Sequence, residues 1–214
     1  MSRVLGSKAP RPAALPALIG GALCLDFANT VDDRSEPEPH DYLPSYPALL
    51  AWSLHAGALS QAEASRIEAL ARIEPAPAER ALVTALGARE ALYSLFDAVA
   101  DGGQPGLQLL APVNRVLRRL GGAARLVPAG DAARLEWEAG TEVTLDTPAL
   151  RVLGSAVELL TGPDLARVRQ CVAADCSWLF LDPTRNHSRR WCRADRCGAR
   201  DRFRRYYARH RKER

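Results

Sequence analysis

The most restrictive feature of this sequence is a set of four cysteines near its C-terminal end. They form two pairs with the same internal spacing, Cys171-x4-Cys176 and Cys192-x4-Cys197, separated by fifteen residues. An intervening segment of that length can fold as a β-hairpin and bring one pair against the other, which is what a tetrahedral Zn²⁺ site requires. The sequence therefore predicts a structural Zn(Cys)4 site that organises a small module around the metal.

Two other uses of these thiols remain open from the spacing alone. They could be buried or disulfide-bonded cysteines, or they could hold an iron–sulfur cluster. A closed set of four protein ligands leaves no open coordination position, so a catalytic metal is not expected. The fifth cysteine, Cys24, lies alone in an apolar run and is interpreted as a buried core thiol.

The residues around the cysteines predict a hairpin followed by a helix. Residues 178–181 form a short apolar strand, 182–187 have the composition of a turn, and 188–191 could return as a second strand. After Cys197 the pattern becomes helical, because aromatic side chains recur at steps of three and four residues. These are Phe203, Tyr206, Tyr207 and His210. The expected module resembles a zinc ribbon or treble clef.

Charge is concentrated in the same region. From Cys171 to the end the chain has thirteen Lys and Arg against five Asp and Glu, whereas the remainder has sixteen against twenty. The last fifteen residues carry eight basic side chains, seven of them arginine, whose guanidinium forks fit phosphates and guanine edges. A solvated basic tail or counter-charges for the thiolates would also explain some of them. The number of cations and their mixing with aromatic residues favour nucleic-acid binding.

The run LFLDPTRNHSRRWC, together with the box Cys197-Gly198-Ala199-Arg200, resembles the bacterial CGNR-type zinc finger. The resemblance extends from Cys171 to about residue 211. It implies a zinc-binding module with a basic C-terminal helix that binds DNA. One position departs from the family pattern: Ala199 stands where the family name has Asn. Any turn or nucleic-acid contact made by that Asn would be lost, whereas the metal ligands are unaffected.

The nucleic acid expected from charge and resemblance is DNA, which makes the chain a transcriptional regulator. An RNA-binding or protein-interaction finger remains the alternative, because Tyr206 and Tyr207 could stack on unpaired bases. The residues expected to contact nucleic acid are the arginines on and beside the C-terminal helix: Arg189, Arg190, Arg193, Arg200, Arg202, Arg204, Arg205 and Arg209.

The N-terminal part begins with LIGGALCLDFANTV at residues 18–31, followed by Asp32. This opening resembles the ABATE domain, an α/β domain attached to CGNR fingers in stress-induced transcriptional regulators. The resemblance implies a domain that ends near residue 165 and has an undefined ligand. Four polar residues lie close to the apolar ones, either as helix caps and internal hydrogen-bond partners or as a small-molecule site. They are Asp26, Asn29, Thr30 and Arg34.

Hydrophobic periodicity predicts helices over most of this domain and short strands in one part of it. A capping box, Ser60 with Glu63, marks one helix start. The expected helices are 46–58, 61–73, 78–100, 107–120 and 148–161, and the strands 124–127, 134–138 and 141–145 are expected to form a small antiparallel meander. The fold class is therefore α+β: a mostly helical N-terminal domain followed by the zinc module.

These patterns divide the chain into a disordered tail at 1–17, an ABATE-like domain at 18–165 and a zinc finger with a basic helix at 166–214. No apolar segment reaches eighteen residues, so we expect a cytoplasmic protein without membrane contact. No phosphate-binding loop, dinucleotide fingerprint or His-Glu-x-x-His motif occurs, so an enzyme is not expected. The N-terminal domain is expected to sense a ligand or to form a homodimer.

Overall fold

The computed structural model describes residues 15–32, 34, 36–119, 124–129, 132–137 and 143–210. Within this part the α-helices are α1 Leu23–Ala28, α2 Tyr46–His55, α3 Gln61–Ile73, α4 Pro75–Ala100, α5 Leu107–Arg119, α6 Thr147–Thr161 and α7 Ala199–His210. The strands are β1 Val31–Asp32, β2 His40–Asp41, β3 Ala124–Ala129, β4 Ala132–Trp137, β5 Val168–Gln170 and β6 Leu179–Leu181. They pair in chain order as three antiparallel two-stranded sheets. None of the described helices is long and apolar enough to cross a membrane.

Local sequence signals account for the helix boundaries. The Ser60 hydroxyl accepts a hydrogen bond from the Glu63 backbone N–H, and the Glu63 carboxylate accepts one from the Ser60 backbone N–H at 2.7 Å. This capping box starts α3 as expected. Pro75 follows the end of α3 and occupies the first turn of α4, where its missing N–H costs nothing.

Helix α4 is the centre of the main hydrophobic core. Its residues Leu92, Leu95 and Phe96 are completely buried, and α1 and α6 pack against it. Phe27 from α1 meets Trp52 from α2 with ring centroids 5.0 Å apart. Burying aromatic and aliphatic side chains of this size is the main source of stability for a domain of this length.

Of the expected meander, the described residues form one hairpin. Strands β3 and β4 pair with Ala129 opposite Ala132. Residues 143–144 are not in a strand, and 141–142 lie outside the described residues. Val143 and Leu145 pack against the main core instead, where the Leu145 carbonyl accepts a 2.6 Å hydrogen bond from the Tyr46 hydroxyl. The mostly helical α+β class with a small antiparallel element is confirmed.

The strand pairing in the finger differs from the expected hairpin. Strand β6 pairs with β5, which directly precedes Cys171, and not with residues 188–191. The latter segment accepts only one backbone hydrogen bond from the other side of the finger, from the Val172 N–H to the Arg190 carbonyl. Residues 163–167, which precede β5, form a 3₁₀ helix. The prediction of a 178–191 hairpin was wrong because the partner strand lies before the first cysteine.

The same strand pair attaches the finger to the helical domain. Val168 and Leu179 are completely buried in the main core, and the Leu181 N–H donates to the Gly20 carbonyl at 2.8 Å. Gly20 itself packs closely against the start of α1, since a Cβ there would lie 2.8 Å from the Asp26 backbone nitrogen. Residues 15–17, the end of the expected disordered tail, are packed in the structure, and Pro16 is buried. The rest of that tail lies outside the described residues.

Candidate metal centre and basic helix

The four cysteines of the finger converge on one point. Their sulfur atoms all lie within 4.8 Å of one another, with 3.6 Å between Cys176 and Cys192 and 3.5 Å between Cys192 and Cys197. Four thiolates at about 2.3 Å from a tetrahedral zinc ion would be separated by about 3.8 Å. A disulfide would require about 2.0 Å, so the thiols are free. The donor set, geometry and closed coordination therefore fit a structural zinc ion.

The cysteines of the cluster shift one another's pKa values. Cys176 and Cys192 donate hydrogen bonds to the Cys171 sulfur, which lowers the pKa of Cys171 to about 2. The same donation, reinforced by burial, raises the pKa values of Cys176 and Cys192 above the ordinary range. These thiols thus compete for one another's protons. A bound dication would make thiolates of its cysteine ligands and remove this competition.

Groups around the thiols support the cluster. The Arg200 guanidinium donates to the Cys197 sulfur at 3.3 Å, which places a positive charge beside a metal-binding thiolate. Gly198 follows the last ligand, and a Cβ at that position would lie 3.4 Å from the Trp191 ring. Trp178 and Phe180 pack in the same small core. Ala199 is the first residue of α7.

Asp182 organises the turn between the two cysteine pairs. It is completely buried, and its carboxylate accepts from the Thr184 N–H at 2.8 Å, the Thr184 hydroxyl at 2.6 Å and the Arg189 N–H at 2.9 Å. Burial would raise the pKa of Asp182, but these hydrogen bonds outweigh burial and lower it. Its position in a turn-forming run was the sequence signal for this role.

Arg189 is half-buried and donates hydrogen bonds within the finger. Its guanidinium donates to the carbonyls of Trp191 at 3.1 Å, Leu181 at 3.3 Å and Cys192, and it lies 4.3 Å from the Phe180 ring centroid. Through these contacts the Arg189 guanidinium links strand β6 to the segment that contains Cys192. All three guanidinium nitrogens therefore donate within the finger, whereas the sequence analysis expected Arg189 to contact nucleic acid.

The other arginines expected to bind nucleic acid lie on α7 or beside it, and those whose side chains the structure describes are at the surface. Arg193 pairs with Asp195 at 2.6 Å, and Arg205 pairs with Asp201 at 2.9 Å. Arg190 and Arg202 are exposed, the side chain of Arg209 is outside the described residues, and Arg200 and Arg204 both pair with Asp175.

Aromatic side chains are exposed on the same helix. Phe203, Tyr206 and Tyr207 are 65%, 58% and 66% exposed. Every side chain described from Arg202 to His210 is exposed, so α7 projects from the finger with its first turn held by the cysteine cluster.

Comparison with family models accounts for both parts of the chain. A model named ABATE, described as "Putative stress-induced transcription regulator", matches residues 21–163, and the CGNR zinc finger matches residues 167–210. The chain belongs to the ABATE family. Neither family is described as an enzyme. With the converging thiols, the finger match identifies the metal as structural zinc. No curated protein matches the sequence.

In the ABATE domain, two of the four residues proposed for a ligand site have structural contacts in and around α1. Asp26 accepts from the backbone N–H groups of Ile19 at 2.8 Å and Gly20 at 2.7 Å, and burial raises its pKa. The amide of Asn29 is buried and pairs with both backbone groups of Leu179, at 2.8 Å each. Asn29 thereby connects the ABATE domain to the finger.

The other two belong to a charged network on α4. Thr30 donates to the Phe27 carbonyl at 2.7 Å. Arg34 pairs with Glu90 at 2.6 Å and lies 3.9 Å from the ring centroid of Tyr93. All four side chains therefore make contacts within the protein: Asp26, Thr30 and Arg34 inside the ABATE domain, and Asn29 with the finger.

Arg89 of the ABATE domain was missed by the sequence analysis. Its position on α4 suggested a polar side, but the residue is only 4% exposed. Its guanidinium binds the Asp41 carboxylate at 2.8 and 2.7 Å and Glu90 at 2.8 Å. These ion pairs raise the pKa of Arg89 although burial acts in the opposite direction. Asp41 comes from a distant strand, so no local pattern indicates the pair.

Proposed function

We propose that this protein is a zinc-dependent DNA-binding transcriptional regulator of the bacterial cytoplasm. The observation that carries the proposal is the position of α7. It starts two residues after the last zinc ligand and presents exposed arginines at positions 200, 202, 204 and 205. The zinc ion holds the first turn of this helix and thereby fixes where the cations lie.

The contact surface is formed mainly by the arginines of α7, which are Arg200, Arg202, Arg204, Arg205 and Arg209. Arg190 and Arg193 flank it, whereas Arg189 is occupied inside the finger. Phosphate contacts of this kind position a protein on DNA and release counterions. If three to five phosphates are neutralised, the logarithm of affinity falls with the logarithm of salt concentration with a slope of about −3 to −4.5.

The ABATE domain supplies regulation in this proposal, by ligand sensing or by homodimerisation. One finger reaches only a few base pairs, which gives little specificity among many genomic sites. A homodimer would place two basic helices on one DNA molecule. Ligand sensing would require groups other than Asp26, Asn29, Thr30 and Arg34 in their present contacts, or a change in those contacts.

A finger for single-stranded nucleic acid or RNA is the second candidate. The observation in its favour is the exposure of Phe203, Tyr206 and Tyr207, because aromatic rings stack on unpaired bases without regard to sequence. The faces of unpaired bases are accessible to aromatic side chains, whereas in a duplex the bases stack on one another.

The test is binding of a labelled duplex by the zinc-loaded chain over a salt series, with single-stranded DNA and RNA as competitors. A chain that ends at Asp201 is the control. DNA binding predicts tight duplex binding with a steep salt slope that is lost in the shorter chain. Preference for either single strand would favour the second candidate, and absence of all binding would contradict both.

A further inference from the structure

Asp175 lies against the arginines of α7. This residue belongs to the loop between Cys171 and Cys176. One of its carboxylate oxygens is 3.3 Å from Arg200 and 2.8 Å from Arg204, and its other oxygen accepts a second hydrogen bond from Arg204 at 3.2 Å. Two of the cations expected to meet nucleic acid are therefore already bound to an anion of the same chain.

The geometry of this contact is that of phosphate recognition. A guanidinium fork donates two hydrogen bonds in one plane to two oxygens of a carboxylate or of a phosphate. Arg200 and Arg204 also line a surface groove of about 540 Å³ together with Asp195, Arg196, Ala199 and Phe203. The Asp175 side chain is 28% exposed, so an anion in solution can approach the same guanidinium groups.

We propose that Arg200 and Arg204 form a phosphate-binding site that Asp175 occupies in the free protein. A phosphate of the nucleic-acid backbone displaces the Asp175 carboxylate when α7 binds. The inference rests on the proposed function, since it names the group on the ligand and the residue that competes with it.

Asp175 competes with phosphate for the two arginines and is not needed to hold them in position. Arg200 keeps a second partner, the Cys197 sulfur at 3.3 Å, which holds its guanidinium in place without Asp175. Arg204 is in the second turn of a helix whose start is fixed by the zinc site. Removing the carboxylate thus leaves both cations near their present positions, with their donors free for phosphate.

The test compares duplex affinities of three zinc-loaded proteins at about 0.1 M salt: the wild type, Asp175→Asn and Asp195→Asn. Both variants lose one negative charge beside the same groove, but Asp195 pairs with Arg193 and only Asp175 pairs with Arg200 and Arg204. Asp175→Asn is expected to bind about three- to tenfold more tightly than the wild type. Asp195→Asn is expected to gain less than about twofold, because exposed charges are screened. Zinc content is measured for each protein.

A double substitution tests whether the gain arises at this site. In an Arg204→Ala background, Asp175→Asn should raise affinity less than it does in the wild type, because half of the released pair is missing. Equal gains in both backgrounds would overturn the inference. So would a gain no larger than that of Asp195→Asn, or weaker binding by Asp175→Asn, which would make Asp175 a positioning residue.

Inorganic tripolyphosphate separates failure of this inference from failure of the proposed function. If the wild type binds duplex but the variants do not differ as expected, only the inference fails. If no protein binds duplex, the proposed function fails. The phosphate site is then supported if Asp175→Asn binds tripolyphosphate more tightly than Asp195→Asn, and overturned if the two bind equally.

Discussion

At the scale of single residues, the side-chain amide of Asn29 makes the backbone hydrogen bonds that a neighbouring strand would make with β6. Strand β6 pairs with β5 on one edge, and on the other edge the Asn29 side chain meets both backbone groups of Leu179. Buried backbone groups need such partners, because an unpaired one loses its hydrogen bond to water without replacement. Asn29 is therefore part of the joint between the ABATE domain and the finger.

Asn29→Ala should lower the free energy of unfolding by about 2–4 kcal/mol, because it leaves a buried donor and a buried acceptor unpaired. Urea denaturation measures the change. Asn114→Ala, at an exposed position on α5, is the control and should change stability by less than about 0.5 kcal/mol. An equally small effect of Asn29→Ala would show that the joint does not depend on this amide.

Cys192→Ser should abolish stoichiometric zinc binding and unfold the finger, since it removes one of four ligands from a closed site. Metal analysis of the purified protein tests this. Cys24→Ala is the matched control: this thiol is buried in the main core, where burial raises its pKa to about 12, and its loss should leave one zinc per chain. One tightly held zinc in Cys192→Ser would contradict the assignment.

The roles of Cys192 and Asn29 could be predicted from the sequence to different degrees. Metal geometry imposes short spacings on its ligands, so the cysteine pattern could be recognised directly. The partner of Asn29 is 150 residues away, and its pairing depends on how two parts of the chain pack. The role of Arg189 was missed for a related reason: an arginine in a basic segment has the same local signature whether it faces solvent or interior carbonyls.

At the scale of elements, helices were predicted better than strand pairs. Caps and apolar periodicity are local, and α3 starts at its capping box. Strand pairing is not local, which is why the partner of β6 was assigned to the wrong side of the cysteines. For helices too, periodicity does not always predict which side chains are buried. Arg89 on α4 is buried in an ion pair with Asp41, which lies in another part of the chain.

The ion pairs on α4 make stability depend on pH. Burial alone would raise the pKa values of Asp41 and Glu90, but the contacts with Arg89 and Arg34 outweigh it and lower both. A carboxylate with a lowered pKa in the folded state contributes stability above its unfolded pKa of about 4. That contribution is lost as the pH falls through the folded-state values.

Urea midpoints measured between about pH 6 and pH 3 should therefore decrease for the wild type and decrease less for Asp41→Asn, which cannot titrate at this position. Glu68→Gln removes an exposed carboxylate 3.9 Å from Arg72 and should keep the wild-type slope. Identical slopes for all three proteins would mean that the buried pair is not a source of the acid sensitivity.

At the scale of the whole molecule, the ABATE domain and the finger share a hydrophobic core. Val168 and Leu179 come from the strands that flank the first cysteine pair, and both are completely buried against the helices. The family models match the two parts separately, at residues 21–163 and 167–210. Packing joins them, so the metal site is expected to affect the stability of both.

Removing zinc with a chelator should lower the melting temperature of the whole chain, because free energy of metal binding contributes to folding. Calorimetry of the zinc-loaded protein should show one transition that moves to lower temperature on chelation. A helical-domain transition that stays at the same temperature after zinc removal would contradict this coupling and would make the finger an independent unit.

Hydrogen exchange with and without duplex DNA tests the central claim most directly. Helix α7 has twelve residues and is exposed along most of its length, so its amides should exchange rapidly in the free, zinc-loaded protein. The account predicts that DNA slows exchange at residues 199–210 and leaves the exposed surface of α3 unchanged. DNA binding that protects another surface and leaves α7 unaffected would contradict it.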